Sequence, residues 1–254
     1  MSHTPIAIHG RGKVGRSLAH ALREHGHEVR LRSGRSSRVR AGELVILAIP
    51  DGALGEAAER LAVACLHLEG VVVAHCAGAR GPDALAALEH VGVPVAQMHP
   101  LVSFARSGGR LPSGAAVLVQ GSRAAVRVIV RVVRSLGLVP LRGPVDPTLY
   151  HAAAAIVSNG AIALAEAGRR LLVAAGVDAD QASSVLGPLL VSTGENLATL
   201  GLPDALTGPV RRGDHATVAR HRKAIGQASP ELLALHRQLV VVQEALTRAA
   251  NRPR

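Results

Sequence analysis

Aromatic side chains are nearly missing from this 254-residue chain, which has one Phe, one Tyr and no Trp. The core must therefore be packed from small aliphatic side chains, and there is no stacking platform for single-stranded nucleic acid. Cysteine is scarce as well. Cys65 and Cys76 are the only two. Both sit in apolar surroundings outside any metal-ligand spacing, so they read as small buried hydrophobes. Lysine is reduced to Lys13 and Lys223, so the net charge of +11 is carried by arginine. That charge is spread along the chain, which argues against a nucleic-acid partner. No apolar run reaches the ~20 residues of a membrane span. The start MSHTPIAI lacks the basic and apolar regions of a secretion signal. The expectation is a cytoplasmic protein that binds neither nucleic acid nor membrane.

What is present is alternation. Short apolar runs at Ile6–His9, Glu28–Leu31, Leu44–Ile49, Val71–His75, Val93–Gln97, Ala115–Val119 and Leu138–Leu141 read as strands. Amphipathic stretches at Arg16–His25, Ala53–Leu66, Pro82–His90 and Arg123–Leu136 read as the helices between them. Strand and helix alternating at this spacing imply an α/β fold with a doubly wound, Rossmann-type parallel sheet. The pattern changes at Gly143-Pro144-Val145-Asp146-Pro147. From there only helical periodicity is found, over Pro147–Ala175, Ala179–Leu200, His215–Gly226 and Pro230–Ala250. Gly176 and Gly201 stand as stops. The expected domains are 1–145, with the sheet, and 146–254, all helical.

Gly10-Arg11-Gly12-Lys13-Val14-Gly15 follows the first strand and opens the first helix. In a GxGxxG turn the first Gly makes the bend and the second lets backbone approach a pyrophosphate. The third lets helix and strand pack closely. The helix N-terminus then offers free N–H groups to the phosphates. An NAD-selective site carries Asp or Glu after the second strand. None is found there. Arg32-Ser33-Gly34-Arg35-Ser36-Ser37-Arg38 stands in its place, and these groups suit the 2′-phosphate of NADP. Arg32, Ser33 and Arg35 are the expected contacts. Ile49 and Pro50, ending the third strand, should line the path toward the nicotinamide. Asp51 reads equally as a site residue and as a plain N-cap.

Position at strand ends singles out further residues. His99 follows the fifth strand, where a substrate would meet the nicotinamide, and an imidazole there can give or take the proton that accompanies hydride transfer. Ser103 lies just beyond, before a Gly-rich loop, 106–114, that reads as a lid. Tyr150 is the only Tyr, and His151, Ser158 and Asn159 recur two helical turns apart on the first long helix. A packing network and a substrate role are both open for these polar groups. In Leu206–Asp214, Arg212 suits an acidic group on the substrate, or the segment is an Asp214 cap beside solvated arginines.

Taken in order, GRGKVG, LVILAIPD, VVVAHCAGA, HPLVSFA, LYHAAAAIVSN, LTGPVRRGD and VARH resemble the Rossmann-like proteins with a C-terminal domain of unknown function, DUF2520. These are related to the 6-phosphogluconate and beta-hydroxyacid dehydrogenases. The resemblance implies an N-terminal NADP domain and a helical domain that pairs two chains into a homodimer. His99-Pro100 is similar to the His-Pro of prephenate dehydrogenases, where that His is catalytic. Beta-hydroxyacid dehydrogenases and ketopantoate reductases place a Lys one turn before an Asn. If Asn159 matches that Asn, the Lys position holds Ala155. The function expected is an NADPH-dependent oxidoreductase acting on a small carbonyl substrate, a 2-oxo acid such as ketopantoate among them. His99 would be the general acid, with Tyr150, His151 and Asn159 beside the carbonyl. A non-catalytic NADP sensor or assembly protein is the alternative, and hydride exchange with a deazaflavin a further one.

Overall fold

The computed structural model describes residues 4–250. By backbone contacts the chain divides into two compact units, Met1–Ala155 and Ile156–Arg254. The first is built on seven strands: β1 (Ile6–His9), β2 (Val29–Arg32), β3 (Leu44–Leu47), β4 (Val72–His75), β5 (Val95–Pro100), β6 (Ala116–Gly121) and β7 (Val139–Arg142). They form one sheet in the order β2-β1-β3-β4-β5-β6-β7. The order reverses at β1, so the crevice beyond the ends of β1 and β3 is the topological switch point where such sheets take their ligands.

Side chains alternate across the strands, and each face has its own helical cover. On one face Ile6, Ile8, Leu44, Ile46 and Met98 pack with Leu18, Leu22, Ile129 and Val133. The last four come from α1 (Lys13–Glu24) and α4 (Arg123–Ser135). On the other face Ala7, Val45, Leu47, Val73 and Val95 pack with Leu54, Leu61 and Leu88, which belong to α2 (Leu54–Cys65) and α3 (Ala86–His90). Each fully buried Leu or Ile contributes roughly 1.5–3 kcal/mol, so these two apolar layers rather than any aromatic anchor hold the unit together.

The Rossmann-type sheet expected from the alternation is present, with one difference. β5 and β6 pair antiparallel, Met98 opposite Val119 and His99 opposite Leu118, while every other pair is parallel. A parallel return needs a crossover helix. Residues 101–115 hold Gly108, Gly109, Pro112 and Gly114 and form an exposed loop instead. The short stretch before α3 is also subdivided, with a 3₁₀ turn at Pro82–Leu85.

α5 (Pro147–Ala174) opens in the first unit and continues into the second. Asp146 starts it, accepting from the N–H groups of Thr148 and Leu149 at 2.8 and 3.0 Å. The second unit goes on through α6 (Ala179–Leu200), α7 (Gly208–Arg211), α8 (His215–Ala228) and α9 (Leu233–Ala250). Asp178 and Asp214 cap α6 and α8 through their side chains, and Gly201 ends α6 with a φ of +67°. Of residues 156–250 only Ala182 and Ser229 are buried, while Ile156, Val157, Ile162, Leu189 and Val191 are exposed.

α5 is apolar on average. Its mean hydropathy reaches 1.3 over a window long enough to cross a membrane, although no unbroken apolar run was found. His151, Ser158 and Asn159 interrupt the run without lowering the average below that level. None of its residues is buried in this chain.

Candidate functional site

The glycine turn is built by steric need. Gly10 has a φ of +131°, and a side chain there would run into the Ala48 carbonyl at the end of β3. A Cβ on Gly15 would meet the Gly10 carbonyl, so helix and turn close together only without it. Gly12 faces open space. Gly12 is also the N-cap of α1, with no side chain capping the helix and no acid in its first turn. The first N–H groups of a helix have no partner within it and carry its positive dipole end. Lys13 and Val14 supply the first of them, with Lys13 exposed and Val14 half-buried. A turn with open space over its second glycine and an uncapped helix start fits a pyrophosphate.

Beside it the segment after β2 is held down by arginines. Ser33 and Ser36 hydroxyl oxygens accept from the N–H groups of Arg35 and Arg38. Arg60 of α2 donates to the Gly34 carbonyl at 3.3 Å. Gly34 packs against Ile49, where an added Cβ would come within 2.8 Å of Ile49 Cγ2. Arg32 is engaged: its Nη1 donates to the Arg38 carbonyl and lies 3.3 Å from Glu43 Oε2. Glu43 is fully buried and also takes Arg30 at 3.2 Å and the Arg40 N–H at 3.1 Å. Sequence reasoning missed this carboxylate because it precedes β3, away from the usual acid position at the end of β2. Ser33 and Arg35 are exposed, as is Pro50. Asp51 opens a 3₁₀ turn, Asp51–Ala53, and its side chain does not cap it.

The second cluster gathers at the ends of β4 and β5. His99 Nδ1 lies 2.8 Å from the Cys76 carbonyl. A carbonyl only accepts, so Nδ1 carries the hydrogen and the neutral ring presents a free lone pair at Nε2. Burial pushes the His99 pKa down; the Cys76 bond raises it and the His151 ring lowers it again. Tyr150 and His151 meet the His99 ring edge to face, at centroid distances of 5.6 and 5.7 Å. The Tyr150 hydroxyl reaches toward the His99 carbonyl at 3.5 Å, and burial raises its pKa. Gly78 leaves room for both imidazoles: a Cβ there would sit 2.8 Å from His99 Cε1 and collide with His151 Nδ1. So His99, Tyr150 and His151, singled out from two separate motifs, are brought together.

A buried amide relay fixes this corner. Gln97 Nε2 donates to the carbonyls of Ala77 and Gly78 at 2.8 and 3.2 Å. Gln120 Nε2 donates to Gln97 Oε1 at 2.8 Å, and its own oxygen accepts from Val145 N–H at 2.9 Å. Hence the loop bearing Gly78 is tied to the segment that launches α5. Gln97 was passed over in the sequence because it reads as one more residue of an apolar strand. His75 is also buried, donating from Nε2 to the Gly81 carbonyl at 2.9 Å.

The remaining expected residues belong to other segments. Ser103 is exposed on the loop after β5. Asn159 and Arg212 are exposed in the helical unit. Asp214 accepts from Thr217 N–H at 2.9 Å and so caps α8. That was the plainer of the two readings of its segment, and α7 turns Gly208–Arg211 into a short helix within it.

A Rossmann-type sheet unit carrying a glycine turn, followed by a helical unit, is the class that this architecture defines. Two family models match the chain. A Rossmann-like domain matches residues 30–100, and the domain of unknown function DUF2520 matches residues 115–241. The chain belongs to the DUF2520 family. Among solved structures it is similar to protein TM1727 from Thermotoga maritima, at 19% identity and a TM-score of 0.73, over 97% of this chain and 100% of that one. It is also similar to a Plasmodium falciparum pyrroline carboxylate reductase with NADP bound, at 11% identity and a TM-score of 0.62, over 97% and 99%. An imine reductase from Pseudomonas sp. follows at 15% identity and a TM-score of 0.60, over 96% of each chain. No curated protein matches the sequence.

Proposed function

We propose that this protein is an NADP-dependent oxidoreductase acting on a small carbonyl compound. The observation that carries the reading is the pairing, on one sheet, of an uncapped glycine turn with a histidine of fixed tautomer. Gly10, Gly12 and Gly15 with the start of α1 would hold the pyrophosphate. Ser33 and Arg35, the latter without an ion pair among the described residues, would meet the 2′-phosphate, with Arg32 held ready by Glu43. Bound NADPH supplies hydride to the carbonyl carbon. His99, once Nε2 has taken a proton from solvent, would give that proton to the oxygen, while the Cys76 carbonyl holds Nδ1–H and keeps the ring in place. Tyr150 and His151 wall the ring on two sides and limit its contact with water.

Similarity to a pyrroline carboxylate reductase and an imine reductase supports a C=N bond as a neighbouring substrate chemistry. 2-Oxo acids such as ketopantoate, cyclic imines and sugar acids form the panel to test. NADPH oxidation followed at its absorbance band should show turnover with one of these classes. Tight NADPH binding without turnover on any would favour the non-catalytic sensor, which the alanine at position 155 also favours.

For the helical unit the proposed partner is a second copy of this chain. Its exposed apolar side chains and near-absence of buried ones leave it without a core of its own, and large exposed apolar faces mark association sites. His151, Ser158, Asn159, Glu166 and Arg169 stud α5 with polar groups that a lipid environment would penalise, so a protein surface suits it better. Light scattering in dilute, detergent-free buffer should give twice the chain mass. A monomer, or material soluble only with detergent, would overturn the homodimer.

A further inference from the structure

His9 closes β1 opposite Arg32 of β2 and Leu47 of β3. It is fully buried, yet neither ring nitrogen has a hydrogen-bond partner. Buried polar groups nearly always have one, and an orphan calls for an explanation. The Ser33–Arg40 segment lies against the ring: its backbone at Arg38 and Ser36 favours the charged form without forming a hydrogen bond. The charged groups that face the ring are Arg32 from β2 and Arg60 from α2. The acids nearby are already committed. Glu43 is shared by Arg30, Arg32 and the Arg40 amide, and exposed Glu56 pairs with Arg60 at 3.1 Å. The same segment walls a 440 Å³ hollow lined by Arg30, Arg32, Arg38 and Arg40. Positive charge therefore exceeds negative around His9, in the place where an anion is expected.

Resting on the NADP reading above, we propose that His9 is a proton-accepting part of the 2′-phosphate site and makes the choice of NADP over NAD depend on pH. In the free protein burial first, and then Arg32, holds the ring neutral, with its pKa lowered to about 4. A phosphate seated on the arginine segment offsets the guanidinium charge and adds negative charge of its own. Both changes favour the imidazolium, so binding draws in a proton. By linkage, the 2′-phosphate adds most affinity where the bound ring is protonated and the free ring is not. The phosphate has its own ionisation near pH 6. From about pH 7 upward the phosphate is almost wholly a dianion, so pH 7–8 isolates the histidine. There the preference for NADP falls as pH rises, by at most tenfold per pH unit.

The test is calorimetry of NADP⁺ and NAD⁺ binding at pH 6, 7 and 8, in buffers of different ionisation enthalpy, on the parent and His9→Asn. The parent should take up a fraction of a proton with NADP⁺ and none with NAD⁺. Its preference for NADP⁺ should decline toward pH 8, and His9→Asn should lose both effects while still binding NAD⁺. Equal proton uptake by parent and variant would overturn the role of His9. So would a parent preference that stays flat from pH 7 to 8, a result that needs no variant to fold. Either outcome leaves the cofactor reading intact. Failure of both nucleotides to bind the parent would overturn that reading and this inference together.

Discussion

His99 and His9 stand at strand ends of the same sheet, both withdrawn from solvent, and their surroundings assign them different work. His99 has a carbonyl partner at 2.8 Å, which fixes its tautomer and leaves one nitrogen for a substrate. His9 has no hydrogen-bond partner among the described residues, and burial first, then the guanidinium groups around it, hold it neutral. Burial lowers the pKa of each, so burial alone cannot tell a proton donor from a charge sensor. The neighbour at the second nitrogen can. A hydrogen bond orients an imidazole; an uncompensated field makes it responsive to an arriving anion.

The largest expected effect breaks the His99 side of this comparison. With whichever substrate turns over, His99→Gln should lower kcat by roughly a thousandfold, the middle of the range for a positioned acid or base, or about 4 kcal/mol of barrier. NADPH affinity should stay unchanged, because no part of the glycine turn is touched. Unchanged turnover in stopped-flow assays at saturating NADPH would remove His99 from the chemistry.

The next effect belongs to His9 and appears without any ligand. Its folded pKa of about 4 lies below its unfolded value of 6.5. Between those values the unfolded chain binds the extra proton, so stability rises with pH there and is lost as pH falls. The full loss from pH 6.5 down to 4 is about 3 kcal/mol. Urea denaturation of the parent at pH 7 and pH 5 should show most of it, and His9→Asn should flatten the dependence. A variant as acid-sensitive as its parent would place the labile proton elsewhere, with His75 and His99 next in line because burial lowers both.

Glu43 tests whether the arginine segment is held from below. The buried carboxylate serves two guanidinium groups and one amide. Breaking a buried pair costs several kcal/mol, but both arginines reach solvent in part, so Glu43→Gln should cost roughly 2 kcal/mol. The NADP preference should narrow as Arg32 loses its anchor, with NAD affinity kept. A stability change within about 0.5 kcal/mol, the usual range for surface substitutions, would mean that the carboxylate is not anchoring the segment.

What was legible in the sequence follows from how many physical demands a residue meets. Gly10 and Gly15 were readable because each position excludes a side chain for its own steric reason. The seven strands were readable as short apolar runs. The direction of β6 was not, since a strand's pattern is the same either way along, although the missing crossover helix between 101 and 115 carried the clue. His99 could be placed because it follows a strand. His9 and Gln97 could not, since at the end of or within an apolar run one polar residue looks incidental until its partners, or their absence, are seen. Glu43 failed for a different reason. Its bonds are to Arg30 and Arg32 across a loop, and nothing in a linear reading distinguishes it from the other acids of the chain.

The smallest effect sharpens the comparison through pH alone. If His99 donates the proton in reduction, its acid form is the active one. kcat/KM for reduction should then fall tenfold per pH unit above the pKa of the ring, and the reverse oxidation should be flat there and fall below it. Four influences set that pKa: burial lowers it most, the Cys76 carbonyl raises it, the His151 ring lowers it and the Asp51 carboxylate raises it. His151→Gln removes one of the lowering influences and leaves the carbonyl bond in place. The inflection in both directions should therefore move upward, toward the ordinary value of 6.5, and reduction at neutral pH should speed up because more of the rings are protonated. An inflection that stays put would mean that His151 is electrostatically silent and only walls the ring. One that moves downward would mean that the lost ring had been sheltering His99 from a positive neighbour rather than repelling its proton.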